Sequence, residues 1–212
     1  MKQMCLRKEI KKRILFLILC HSGVAPAIWS QPEGPPVVIS LFNESVKMPF
    51  SALLQGPFHP GLAAGTELSW KENKRFRCYP AITAGYMFHR RLFQGFFINA
   101  ELGIDYKTAA GIVFKTKIGS GYLRSYVLSA NYSFSKGSYI TQKDKGSSVF
   151  MPSFTIGLGY LPAPRQTRSP ELFILYQSWI ELPYSPGFIP LLPHTNLCIG
   201  TKFFTHRKAE RK

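Results

Sequence analysis

The stretch "GFFINAELGIDYKTAAGIVFKTKIGSGYL" (Gly95–Leu123) alternates, and that alternation decides the fold. Ile98, Ala100, Leu102, Ile104 and Tyr106 interleave with Asn99, Glu101, Gly103 and Asp105. Past "TAA", Ile112, Phe114, Thr116 and Ile118 interleave with Lys115, Lys117 and Gly119. Successive strand side chains point to opposite faces, so each arm has one apolar and one polar face. Two such arms joined by a short turn predict a β-hairpin. Its polar face carries carboxylates on one arm and lysines on the other. In a soluble sandwich the apolar face would be core and the charges would meet water. In a membrane barrel the apolar face meets lipid and the charges point into the lumen.

The same pattern recurs along the chain. Eight strands are expected: Val37–Asn43, Leu62–Trp70, Arg75–His89, Phe93–Lys107, Gly111–Ser125, Phe150–Tyr160, Leu172–Ile180 and Asn196–Phe204. Residues 126–148 have little apolar periodicity and read as a long polar segment. Bulky residues share one face throughout. Leu62, Ala64, Thr66, Leu68 and Trp70 oppose Glu67 and Ser69. Leu197, Ile199 and Phe203 oppose Asn196, Gly200 and Lys202. Soluble β-proteins alternate too, so three further features weigh the choice. Glycine recurs on the polar face (Gly65, Gly85, Gly103, Gly119, Gly157, Gly159), as a small closed barrel requires. Aromatics gather near strand ends (Trp70, Tyr86, Phe88, Tyr106, Tyr122, Tyr160, Trp179), as in interfacial girdles. Short connections such as "KENK" and "KTAAG" alternate with longer ones, although "HRRL" is short and "PAPRQTRSP" long. The expected fold is all-β: an eight-stranded antiparallel up-and-down transmembrane β-barrel of the outer-membrane type, over residues 37–204.

Buried charges must be paired. Glu67, Glu101, Asp105, Lys115, Lys117 and Lys202 are the candidates for ion pairs in the lumen. Pairing about "TAA" sets Glu101 opposite Lys117 and Asp105 near Lys115. A structural plug is favoured over an ion path, since eight strands leave an interior that side chains fill.

The chain has 212 residues with 27 Lys and Arg against 11 Asp and Glu, a net charge of +16. At the start, "RKEIKKR" precedes the apolar run "ILFLILC" and the small-residue exit "APAIWSQ". This reads as a secretory signal peptide over residues 1–30, cleaved after Ala27 or Ser30. Seven apolar residues fall far short of the roughly 20 of a spanning helix. Cys20 raises a lipoprotein signal as the rival, but Leu19 stands where that signal has a small residue. A Pro/Gly-rich leader (31–36) and a basic tail (205–212) flank the barrel. Cys78 and Cys198 fall on opposite faces, which argues against a disulfide. No Cys/His metal spacing and no cofactor motif is present. The basic surface suits anionic partners, outer-membrane lipid and lipopolysaccharide above all; no nucleic-acid motif accompanies it.

The phrases "MPFSALLQGPFHPGL", "GYMFHR", "QGFFINAELGIDY", "GSGYLRSY", "FMPSFTIGLGY" and "LLPHTNLCIGTKFF", with the "WSQ" exit, resemble a family of small outer-membrane β-barrel proteins of the Bacteroidota. The resemblance covers roughly residues 46–204. It implies a small barrel of the bacterial outer membrane with no assigned activity. Two positions depart from it. Outer-membrane barrels often end on an aromatic, whereas eight residues follow Phe204. Leu175 sits where a polar lumen residue is expected.

His59, His89 and His194 fall at strand ends on the outer side. Strands two and eight both flank strand one in a closed barrel, so His59 and His194 are candidates to meet at the rim, for a divalent metal or a phosphate. The plainer reading is that they cap loop turns. Arg90, Arg91, Lys136, Lys143 and Lys145 lie in expected outer loops, in reach of lipopolysaccharide phosphates. Three functions stay open: a structural or interaction barrel, whose partner is lipid or another envelope protein; a lipid A-modifying barrel enzyme; and a periplasmic soluble or lipid-anchored binder. Catalysis would need a His beside a nucleophile, and "HTN" at His194 carries Thr rather than Ser.

Overall fold

The computed structural model describes residues 34–51, 58–88, 93–127, 131–135, 138–142, 146–163, 169–184 and 190–204. The signal, the basic tail, His89, Arg90, Arg91, Lys136, Lys143 and Lys145 lie outside them. No helix among the described residues is long and apolar enough to cross a membrane. The elements are all strands: β1 (Pro36–Ser45), β2 (Pro60–Glu67), β3 (Lys71–Glu72), β4 (Phe76–Phe88), β5 (Phe93–Lys107), β6 (Ile112–Val127), β7 (Asn131–Ser135), β8 (Ser138–Gln142), β9 (Ser147–Tyr160), β10 (Glu171–Glu181) and β11 (Leu192–Phe204). Nine of them form one antiparallel sheet in the order β2-β1-β11-β10-β9-β6-β5-β4-β3, in which the β2–β4 pairing closes the eight strands other than short β3 into a barrel. β1 pairs with β11 along its whole length, Pro36 opposite Phe204, so the start of β1 and the end of β11 lie at one end of the barrel. Closure leaves no exposed sheet edge, which is how strands satisfy their backbone groups in lipid.

The outer wall is apolar. Ile39, Leu41, Leu62, Phe96, Ile98, Leu102, Ile104, Phe114, Ile118, Phe154, Leu172 and Ile199 are all exposed. Their neighbours in sequence, among them Asn99, Glu101, Asp105, Lys115 and Lys117, are buried. That inversion, large apolar groups outside and charges inside, is the pattern of a barrel whose solvent is lipid.

Three expectations are corrected. β2 ends at Glu67, and Leu68 and Trp70 lie beyond it. Glu67 pairs with Ala81 and Lys71 with Cys78, so four residues on one chain match three on the other. The extra residue is a bulge, which puts Glu67 and Leu68 both inside. Pro80 sits opposite it, where Leu68 N–H still reaches the Pro80 carbonyl at 2.8 Å. Trp179 belongs to no girdle; it is 1% exposed and points inward. Residues 126–148 are not merely a loop: β6 and β9 extend into them, and β7 and β8 form a hairpin at their far end.

Candidate functional site

The lumen has two parts. At the end that holds Pro36 and Phe204, β2, β4, β5, β6, β10 and β11 each send in a charged side chain. Glu67 is the hub. Its carboxylate accepts from Arg77 Nη1 at 2.6 Å, Lys202 Nζ at 3.2 Å and Lys117 Nζ at 3.3 Å. Lys115 Nζ lies 2.9 Å from Asp105 Oδ2 and 2.6 Å from Glu171 Oε1. Lys202 also pairs with Glu171. Tyr79 donates to Asp105 Oδ1 at 2.8 Å, and the Arg77 guanidinium stacks 4.3 Å above its ring. Gly103 makes room for that tyrosine: a Cβ there would meet the ring at 2.5 Å. Glu101 stands one layer further in and accepts from Thr155 Oγ1 (3.0 Å), Ser153 Oγ (3.2 Å) and Gln177 Nε2 (3.3 Å). Arg77, Lys115, Lys117 and Lys202 thus face Glu67, Glu101, Asp105 and Glu171, all buried. The charges balance, as charges removed from water must.

The expected hairpin register is off by two. Glu101 pairs with Gly119 and Lys117 with Gly103, while Asp105 pairs directly with Lys115. The ladder closes at Lys107 and Val113 and leaves a five-residue turn, in which Gly111 takes a left-handed φ of 85°. Lys117 therefore reaches across the lumen to Glu67.

Towards the loop end the lumen is filled by Phe42, Ala63, Met87, Phe97, Leu123, Val149, Met151, Phe173, Leu175, Trp179 and Cys198. Leu175, anomalous beside a polar lumen, belongs to this plug. Gly61 admits Phe42, whose ring would lie 2.0 Å from a Cβ there. A cavity of about 50 Å³ remains at the boundary, and Asn99, whose buried Oδ1 has no partner within the protein, lines it. It has room for water but not for a pore. Cys198 is buried in the plug and Cys78 is partly exposed; both are free thiols.

Beside the plug, His194 stands between two carboxylates. Its Nδ1 is 2.7 Å from Glu44 Oε1 and its Nε2 3.3 Å from Glu181 Oε2. Trp179, its cross-strand neighbour, stacks on the ring at 3.9 Å and 7°. His59 Nδ1 lies 3.1 Å from the Glu44 carbonyl and 3.8 Å from Glu44 Oε2. The structure thus brings His59 and His194 onto one carboxylate, inside the wall rather than on an open rim, for His194 is fully buried. Among the described residues no group of three or more His, Cys, Asp or Glu side chains is arranged to hold a metal.

Sequence reasoning missed Arg77, Glu171, Glu44 and Glu181. Parity was the available signal: Arg77 is in phase with inward Thr83 and Gly85, and Glu171 with Leu175.

No protein-family model matches the chain, and no curated protein matches it. Among solved structures, Neisserial surface protein A (NspA) is similar with a TM-score of 0.50 at 14% identity, over 81% of this chain and 96% of that one. Ail, the attachment invasion locus protein of Yersinia pestis, follows at 0.45 and 13%, over 82% and 99%. The outer membrane enzyme PagL gives 0.45 and 12%, over 79% and 98%. At these identities the likeness is one of fold. The chain is an eight-stranded antiparallel transmembrane β-barrel of the outer-membrane type.

Proposed function

We propose that this chain is a small barrel of the bacterial outer membrane, exported by a cleaved signal peptide, that serves the cell envelope as a structural or interaction protein. The lumen carries the reading. A balanced ionic network and an apolar plug fill it in series, and the described side chains leave only a cavity of about 50 Å³ between them. An exchange of ions or solutes through such an interior would cost the burial of both layers. What remains for function is the outer wall, which meets lipid, and the loops. Lipid and lipopolysaccharide are the partners this surface suits, with other envelope proteins reached through the loops.

A lipid-modifying activity centred on His194 is disfavoured by its geometry. Both ring nitrogens are taken by carboxylates, and a general base needs one free for a nucleophile. Planar-bilayer recording of the refolded barrel tests the proposal: no stable conductance step is expected. A sustained open channel would refute the filled lumen.

A further inference from the structure

We propose a binding site for one acyl chain of a membrane lipid on the outer wall of the barrel, in a groove between β6, β9 and β10 beneath the Phe50–Tyr176 stack. It rests on the reading that this wall faces lipid.

The first observation is what the chain does after β1. By alternation with Leu197 and Ile199, Thr195 points outward, yet it is only 7% exposed. Its hydroxyl bonds the Ser45 carbonyl at 3.4 Å. Beyond Ser45 the chain lies back against the outside of the barrel. Phe50 stacks on outward-facing Tyr176 with ring centroids 5.1 Å apart, and its N–H donates to Tyr176 Oη at 2.8 Å. Ser51 N–H closes a turn on the Met48 carbonyl at 3.2 Å. Pro49 takes the second position of that turn, and Phe50 the third at a φ of 61°. A type II turn puts glycine there. A bulky residue in the left-handed region persists only where its surroundings hold it, and such strain gathers at ligand clamps.

The second observation is the wall next to that clamp. Phe114, Thr116, Ile156, Leu158, Ile174 and Tyr176 line an open groove of about 420 Å³. They form two cross-strand rows: Thr116–Ile156–Tyr176 and Phe114–Leu158–Ile174. Thr116 is the short side chain that makes the depression. The groove runs without a break into the exposed apolar belt of Leu172, Ile118 and Ile199. The substance that covers the belt is therefore at hand to fill the groove. A lining left uncovered would forfeit its dispersion contacts, and apart from the Thr116 and Tyr176 hydroxyls, the second already bonded to Phe50 N–H, the outward lining is apolar. The occupant is the hydrocarbon of one lipid, with its course past the barrel ended by the Phe50–Tyr176 stack.

The experiment uses the full barrel reconstituted in phosphatidylcholine vesicles doped with a phospholipid that carries a photoreactive diazirine in one acyl chain. Peptide mapping after illumination should show labelling at Ile156–Leu158 and Ile174–Tyr176 several-fold above that of Leu62 and Ile82 on the opposite wall. Thr116→Phe, which fills the groove from outside, and Phe50→Gly, which removes the stack, should each abolish that excess while the heat-modifiable gel shift shows an intact barrel. Even labelling around the belt would overturn the site and leave the membrane reading standing. No labelling on any strand would overturn the membrane reading.

Discussion

The two halves of the lumen solve one problem in opposite ways. At the end that holds Pro36 and Phe204, four cations and four carboxylates fill the space; Glu67, Asp105 and Glu171 pair with cations, and Glu101 takes its partners from Thr155, Ser153 and Gln177. Towards the loops, aromatic and aliphatic side chains fill it and need no partner. Both halves come from inward positions of the same strands. Along β5 the inward residues run Phe97, Asn99, Glu101, Gly103, Asp105, from apolar to charged. The difference teaches that strand parity reports which side a residue faces, not what that side is made of. The ionic half is also the more brittle, because removing one partner strands another in low dielectric.

The largest effect should come from the hub. Glu67→Leu leaves Arg77, Lys117 and Lys202 around an apolar group and should cost at least ~3–5 kcal/mol in urea unfolding of the detergent-folded barrel. A loss below about 1 kcal/mol would mean that water reaches the ionic half. In the apolar half, Met151→Ala should cost about 2–5 kcal/mol through the cavity it leaves, with no dependence on salt. Leu102→Arg places a charge on the lipid side next to buried Glu101, near the middle of β5, and should cost ~2–4 kcal/mol. Ala110→Arg in the exposed turn should leave the folding yield unchanged. Among the charge pairs, the smallest effect is outside both halves. The Lys107–Glu72 pair at 2.6 Å is partly exposed, so Lys107→Ala should shift the midpoint by no more than ~1 kcal/mol.

Much of this was legible before any coordinates. Alternation alone separated Ile98, Leu102 and Ile104 from Asn99, Glu101 and Asp105, and it placed the eight barrel strands. What escaped it has physical causes. A single extra residue near Leu68 flips parity, and no residue type announces a bulge there. The five-residue turn at Thr108–Ile112 shifted the register by two, so Lys117 found Glu67 through the lumen rather than Glu101 across the hairpin. Inward Phe97, Met87 and Leu123 share a face with the charges, and alternation alone does not separate an apolar plug from an ionic layer on that face. Glu44 and Glu181 escaped because each stands at the end of a strand, where alternation is short. That His59 and His194 meet followed from topology, since β2 and β11 both pair with β1.

Asp105 and Lys115 offer the most direct test that the charges are inside, desolvated and mutually dependent. They are cross-strand partners at 2.9 Å and both almost fully buried. The measurement is the unfolding free energy of Asp105→Leu, Lys115→Met and the double variant. The predicted result is a loss of ~3–5 kcal/mol for each single change and a double-variant loss well below their sum, because either single change leaves the buried network one charge out of balance and the double change restores the balance. Small losses that simply add would place both residues in water, and the assignment of lumen and lipid faces would be contradicted.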